Sequence, residues 1–291
     1  METSELLKKV RKIEIKTRGL SHQIFSGEYH SAFKGRGMAF SEVREYQYGD
    51  EIRTIDWNVT ARLNHPYIKV FEEERELTVM LMVDISGSEN FGTKKQFKRE
   101  LITEICAVLA FSAIQNNDKV GVIFFSDTIE KFIPPKKGKS HILTIIRELL
   151  NFEPKNKSTN IGFALRYLNN VIKKRSTTFL LSDFMDTNFH EALKIANKKH
   201  DLVALRIYDA SEKEIPSIGI VPIKDSETGE ITWINTSDKN WQHQMKVNYL
   251  KHEKQLKDIF TKSGIDMAHI ATHENYVKPL INLFKKRETR K

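Results

Sequence analysis

The sequence predicts an α/β protein with a doubly wound, mostly parallel sheet and helices on both faces. From residue 77 on, strand candidates alternate with helix candidates of about 10–15 residues, which is typical of this class. The segment Leu77–Ile85 (LTVMLMVDI) is a nearly continuous apolar run, as expected of a parallel strand that is buried on both faces. With 291 residues, of which 40% are hydrophobic and 29% charged, the chain is long enough and apolar enough for such a core.

The elements are predicted in the following order. A helix at 3–18 and a lead-in form an N-terminal segment, 1–27, and short antiparallel strands broken by glycine-containing turns form a β-rich region, 28–76, that we expect to pack on the main domain. The main domain, 77–287, has strands at 77–85, 119–126, 129–133, 177–182, 202–208 and 265–270, a hairpin at 220–235, and helices near 94–116, 139–151, 160–174, 188–199, 238–262 and 275–287.

Composition narrows the classes of function. The net charge of +9 would permit nucleic-acid binding, but the basic residues are scattered without interleaved aromatics, so we favour a lysine-rich protein that binds no nucleic acid. The lone cysteine, Cys106, can form no internal disulfide, which favours a reducing compartment. With no apolar run of 18 residues and no secretory leader, we expect a cytoplasmic protein without an integral membrane segment. The basic N-terminal helix could lie on a membrane, but packing on its own domain is favoured.

Two strand ends carry the polar residues of greatest interest. Asp84 follows the apolar run directly, and Ser86 and Ser88 point the same way in an extended loop that Gly87 allows to bend. Asp183 follows a second apolar strand, and Thr159 precedes a predicted helix. Buried carboxylates need a cation or hydrogen bonds, and carboxylate and hydroxyl oxygens suit Mg²⁺, with Mn²⁺ or Ca²⁺ as alternatives. Thr159 or Asn160 could instead only cap that helix.

Asp84, Ser86, Ser88, Thr159 and Asp183 together resemble the metal-ion-dependent adhesion site of von Willebrand factor A domains. The resemblance implies a von Willebrand factor A-like domain in which Ser86, Ser88 and Thr159 touch the metal and the two aspartates act mainly through bound water. It also implies an open coordination position for a carboxylate from a partner. The alternative is that these hydroxyls only cap loops and that no metal binds.

The upstream segments narrow the resemblance. The series GMAF at 37–40, REY at 44–46, GDEIR at 49–53, IDW at 55–57 and TAR at 60–62 is similar to the bacterial "domain of unknown function 58" family. The resemblance implies a MoxR-type AAA+ ATPase as partner, a chaperone-like or assembly role, and no established catalysis. Some members of that family carry N-terminal membrane helices, and this sequence shows none. We expect Asp50, Arg53 and Asp56 to form internal ion pairs rather than a docking surface.

The resulting hypothesis is a non-enzymatic, Mg²⁺-dependent protein-interaction domain that works with the ATPase and with a client protein supplying an acidic ligand. One alternative is a metal-dependent phosphoester hydrolase, which would need a general base and cationic phosphate contacts beside the metal. Another is a basic nucleic-acid-binding protein, whose affinity would fall steeply with salt. The sequence has neither a Walker A loop nor a Gly-x-Ser-x-Gly elbow, so it is not itself predicted to be an ATPase or a hydrolase of that type.

Overall fold

The computed structural model describes residues 3–20, 38–73, 76–87, 98–154, 156–213, 215–224 and 230–289. The chain divides into two compact units. The larger unit consists of Met1–Ala32 together with Thr78–Lys291, and the smaller unit is Phe33–Leu77.

The larger unit is built on a six-stranded sheet. Its strands are β3 (Thr78–Asp84), β4 (Lys119–Phe125), β5 (Ile129–Lys136), β6 (Thr177–Ser182), β7 (Asp201–Tyr208) and β10 (Asp266–Ala271), in the order β10-β7-β6-β3-β4-β5. All neighbours are parallel except β5, which pairs antiparallel with β4 at one edge. Numbered by these six alone, the order is the doubly wound 3-2-1-4-5-6, and the winding reverses between β3 and β6. The predicted fold class is confirmed.

Nine helices and a further hairpin complete the description. The helices are α1 (Thr3–Leu20), α2 (Trp57–Leu63), α3 (Lys98–Gln115), α4 (Lys139–Asn151), α5 (Ile161–Val171), α6 (His190–Lys199), α7 (Ala210–Lys213), α8 (Lys239–Lys262) and α9 (Val277–Glu288), counted over the described ranges. The strands β8 (Ile220–Lys224) and β9 (Ile231–Asn235) pair antiparallel, as predicted for 220–235. No helix in the described part of the chain is both long and apolar enough to cross a membrane.

The sheet is covered on both faces. Met80 and Met82 of β3 belong to a core that includes residues of α5, α6 and α8, such as Leu165, Leu193 and Phe260. Because side chains alternate along a strand, Val83 lies on the opposite face, where it lines a small apolar cavity with residues of α3 and α4. Burial on both faces explains why β3 is apolar at almost every position.

Helix α1 packs on the larger unit. Val10 and Thr17 are buried, while Lys16 Nζ lies 2.6 Å from Glu104 Oε2 of α3 and Glu14 Oε1 lies 2.5 Å from Lys139 Nζ of α4. One face of the helix is thus occupied by its own domain, which was the favoured expectation.

The smaller unit contains an antiparallel pair and a short helix. The strands β1 (Met38–Glu45) and β2 (Tyr67–Glu73) pair antiparallel, with an irregularity between Phe40 and Glu42. The helix α2 between them was not predicted, since the segment was interpreted as extended. Asp56 begins this helix: its Oδ1 accepts hydrogen bonds from the backbone N–H groups of Asn58 and Val59, at 3.0 and 3.3 Å.

Of the three residues expected to form ion pairs in the smaller unit, Asp50 and Asp56 do so. Arg44 donates to both oxygens of Asp50 at 2.7 and 2.8 Å. This bidentate salt bridge lowers the pKa of Asp50. Asp56 lies 3.4 Å from Lys69 Nζ. Arg53 is exposed, and the partner of Asp50 is Arg44 rather than Arg53.

Candidate metal centre

Two buried carboxylates lie where the winding of the sheet reverses. Asp84 ends β3, and Asp183 directly follows β6, the parallel neighbour of β3. Their exposed fractions are only 1% and 2%. In doubly wound sheets this reversal opens a crevice at the carboxyl ends of the strands, where ligands bind. The structure therefore places two of the predicted metal residues together at the position that the fold favours for a ligand.

Asp84 is held by hydrogen bonds from Ser86 and Ser182. The backbone N–H of Ser86 donates to Asp84 Oδ1 at 3.0 Å, and the Ser182 hydroxyl donates to Oδ2 at 2.7 Å. Burial, followed by the charge of Asp183, nevertheless raises the pKa of Asp84 to about 7. The hydrogen bonds only partly offset the cost of two close negative charges, and a cation between them would offset it further.

Asp183 is held by a cation and by the backbone. Lys98 Nζ lies 3.1 Å from Asp183 Oδ2, and the N–H of Met185 donates to Oδ1 at 3.3 Å. The next residue, Phe184, is buried and has a φ of 60°, a left-handed conformation that is uncommon outside glycine. Its N–H donates at 3.0 Å to Ser182 Oγ, the same hydroxyl that donates to Asp84. This strained turn thereby connects the two aspartates through Ser182.

Backbone hydrogen bonds join the loops of the site. The N–H of Gly87, in the loop after β3, donates to Lys157 O at 2.9 Å. The N–H of Ile161, at the start of α5, donates at 2.8 Å to Asp186 Oδ2, in the loop after β6. Thr159 lies between these two anchored positions, so its loop is tied to the loops that carry Asp84 and Asp183.

The capping alternative for Thr159 is settled by its neighbour. Asn160 is the N-cap of α5, and its Oδ1 accepts the N–H of Phe163 at 2.8 Å. Thr159 is half-buried and is not the cap. Ser86 is fully buried in the loop after β3. Ser88, the remaining predicted residue, lies outside the described residues.

The donor set fits a hard divalent cation. Asp84 and Asp183 could offer carboxylate oxygens, and the predicted ligands Ser86 and Thr159 carry hydroxyls, all of which are ligand types that Mg²⁺ accepts. Within the described ranges, no group of three or more His, Cys, Asp or Glu side chains is placed to hold a metal. A metal here therefore depends on hydroxyl oxygens and water as well as on the two carboxylates.

Several residues of the site were not identified from the sequence. Ser182 directly precedes Asp183, and Asp186 follows it by three positions. Their closeness in sequence to Asp183 was the signal that could have identified them. Lys98 comes from α3, 85 positions away from Asp183, and Glu212 comes from α7. Neither Lys98 nor Glu212 could be identified from the sequence, because a salt bridge between distant segments has no characteristic spacing in the chain.

The doubly wound order, the antiparallel edge strand and the Asp-x-Ser loop after the central strand define a von Willebrand factor A-like domain. A family model described as "Protein of unknown function DUF58" matches residues 42–255. That span is most of the chain, so the protein belongs to the DUF58 family, as its upstream segments indicated.

Known relatives and structures include the following. The uncharacterized protein Rv1480 of Mycobacterium tuberculosis is 26% identical over 234 residues, which cover 79% of this chain and 74% of that protein. The crystal structure of the hypothetical protein BatB from Bacteroides thetaiotaomicron is 16% identical, with a TM-score of 0.49, over 73% of this chain and 99% of that one. The SpRpn10 VWA domain is 9% identical, with a TM-score of 0.37, over 71% and 94%.

Proposed function

We propose that this protein is a non-enzymatic, Mg²⁺-dependent protein-interaction domain that works with a MoxR-type AAA+ ATPase. The observation that carries the proposal is the pair of buried carboxylates, Asp84 and Asp183, at the carboxyl ends of two adjacent parallel strands. Lys98 compensates Asp183, but burial and the charge of Asp183 still raise the pKa of Asp84, so a bound cation would stabilise the pair further. Membership of the DUF58 family supports the choice of partner.

The residues of the site would have two kinds of role in binding the metal. Ser86, Ser88 and Thr159 would hold the metal directly, while Asp84 and Asp183 would orient its water ligands and balance its charge. A bound Mg²⁺ supplies an electrophilic position that can accept one more oxygen ligand. Because the direct protein ligands would be neutral hydroxyls, the metal would keep a positive field at its open position and attract one further anion, such as an acidic side chain of the ATPase or of a client.

The first test is capture of the purified MoxR-type ATPase encoded in the same genome. Wild-type protein and the double variant Asp84→Ala, Ser86→Ala are immobilised and compared in one buffer containing Mg²⁺ and nucleotide. The ATPase itself needs Mg²⁺ for its nucleotide, so the variant is a cleaner comparison than a chelator. We expect the wild type to retain the ATPase and the double variant to retain at least about tenfold less, the loss of a charge-assisted contact.

The matched control is Asp258→Ala, which removes an exposed aspartate from α8. It should retain the ATPase like the wild type, and circular dichroism should show all three proteins folded. Equal capture by the wild type and a folded double variant would rule out recognition through the metal.

A further inference from the structure

Lys98 is a buried lysine in contact with the candidate metal centre. Its side chain is 2% exposed, and its Nζ lies 3.1 Å from Asp183 Oδ2 and 2.6 Å from Glu212 Oε1. We propose that Lys98 is a tethered counter-cation that competes with the metal for Asp183 and so sets the metal affinity, with Glu212 as its second acceptor. This inference rests on the proposed function, because it concerns the metal of the same site.

The competition follows from the burial of the two groups. Asp183 is 3% exposed at its side chain, so water screens its charge poorly. While the ammonium of Lys98 lies on Oδ2, it neutralises one of the two carboxylates that a divalent cation would use. Removing the ammonium should therefore make the site more attractive to Mg²⁺.

Glu212 gives the ammonium a second acceptor. The distance from Lys98 Nζ to Glu212 is shorter than the distance to Asp183, and the Glu212 side chain is more exposed, at 23%. Glu212 is positioned by α7, since its Oε1 also accepts the N–H of Asp209 at 3.1 Å. Lys98 can therefore remain paired with Glu212 when the charge of Asp183 is used by a bound metal.

The charge balance of the site supports this arrangement. Asp84, Asp183 and Glu212 carry three negative charges when ionised, and Lys98 carries one positive charge. Within this group of four side chains, two negative charges remain for a divalent cation. The neighbouring Arg206, whose Nε donates to the carbonyl of Asp183 at 3.2 Å, is paired with Glu253 and leaves this balance unchanged.

A purely structural role for Lys98 makes the opposite prediction. If Lys98 only ties α3 to β6 and α7, its loss would loosen the site and weaken metal binding. The sign of the change in affinity therefore separates a tethered counter-cation from a structural tie.

The experiment is calorimetric titration of the full-length, metal-free protein with Mg²⁺ and with Mn²⁺. Lys98→Met keeps an apolar stem but removes the ammonium, and it should tighten binding by about tenfold, the order expected from one poorly screened unit charge nearby. Glu212→Gln should weaken binding by about three- to tenfold, because the charge of Lys98 is then compensated only by Asp183. The matched controls, Lys131→Met and Glu148→Gln, alter a half-exposed pair on the edge strand β5 and on α4 and should leave affinity unchanged.

The following results would overturn the role proposed for Lys98 or the metal centre itself. Weaker or unchanged binding by Lys98→Met, or tighter or unchanged binding by Glu212→Gln, overturns the role of Lys98. If Lys98→Met does not fold by circular dichroism, Glu212→Gln alone decides by the same criterion. A wild type that binds neither metal overturns this inference and the metal centre together. Metal binding with the expected opposite shifts, but without metal-site-dependent capture of the ATPase, overturns only the proposed function.

Discussion

At the scale of single residues, the candidate centre combines two buried carboxylates with a strained backbone position. Asp84 and Asp183 are buried on neighbouring strands, and Phe184, directly after Asp183, adopts a left-handed backbone conformation. Ser182 compensates in part, because it accepts the N–H of Phe184 and donates its hydroxyl to Asp84. Costs of this kind persist where the surrounding structure holds the residue in place, and they cluster at binding sites.

The buried histidine His200 allows a prediction about how stability depends on pH. Its imidazole is fully buried at the amino-terminal side of β7, and its Nδ1 lies 2.9 Å from Ser176 Oγ. Burial lowers the pKa of His200 from 6.5 to about 4, so the unfolded state binds this proton more readily than the folded state. The stability contributed by neutral His200 is present above pH 6.5 and is lost as the pH falls toward 4. The loss between pH 7.5 and pH 5 should be about 2 kcal/mol.

The measurement is urea denaturation of the wild type and of His200→Asn at pH 7.5 and pH 5. Asparagine keeps an acceptor near the position of Nδ1 but does not titrate. The variant should be less stable at pH 7.5, and its free energy of unfolding should fall less on acidification, by about 2 kcal/mol. An equal fall in both proteins would show that His200 is not held neutral.

The sequence predicts some residues of the site better than others for a physical reason. Asp84 and Asp183 each follow a strand that is apolar throughout, and a charge in that position stands out without a structure. Thr159 was also placed at the right helix, but only the structure assigns the cap to Asn160. Lys98 could not be predicted, because its burial depends on a carboxylate that lies 85 positions further along the chain.

At the scale of elements, the last helix is fastened to two strands by one arginine. Arg287 of α9 donates to both oxygens of Asp201 at 2.6 Å and to Asp266 Oδ2 at 3.1 Å. Asp201 begins β7 and Asp266 begins β10. Arg287→Met should destabilise the protein by about 1–3 kcal/mol, because it leaves the nearly buried Asp266 with less compensation. Equilibrium denaturation in urea measures this change.

The matched control is the preceding residue, Lys286. Its side chain is 57% exposed and its Nζ is 3.7 Å from Asp266, so Lys286→Met removes the same charge at a solvated position. Its effect should remain within about 0.5 kcal/mol. Equal losses in the two variants would mean that net charge, rather than the buried contact of Arg287, is responsible.

The strands of the sheet were predictable because burial on both faces favours apolar runs, and β3, β4 and β6 each contain one, while Arg206 interrupts the run in β7. Helix α2 was missed because it has only seven residues and none of them is buried, so it has no apolar period. It depends on the cap at Asp56, which from sequence was interpreted as an ion-pairing residue. Short helices set by a single cap are weakly encoded in hydrophobic pattern.

At the scale of the whole molecule, the larger unit is assembled from two separate stretches of chain. Met1–Ala32 joins Thr78–Lys291, and the smaller unit, Phe33–Leu77, is inserted between them. The hydrophobic pattern of the sequence identified α1 but left two positions open for it, on its own domain or on a membrane surface. The structure places its Val10 and Thr17 in the interior, which makes α1 part of the fold of the larger unit.

The contribution of α1 to that fold can be measured with two apolar residues of the same helix. Val10 is 8% exposed and Ile15 is 69% exposed. Val10→Ala removes buried methyl groups and should lower the free energy of unfolding by about 1 kcal/mol, after allowing for the higher helix propensity of alanine. Ile15→Ala is the matched control and should change it by no more than about 0.5 kcal/mol. Both are measured by urea denaturation, with co-sedimentation on anionic vesicles alongside. If Val10→Ala is neutral while Ile15→Ala abolishes vesicle binding, α1 acts at a membrane surface and its packing on α3 and α4 is not what stabilises the unit.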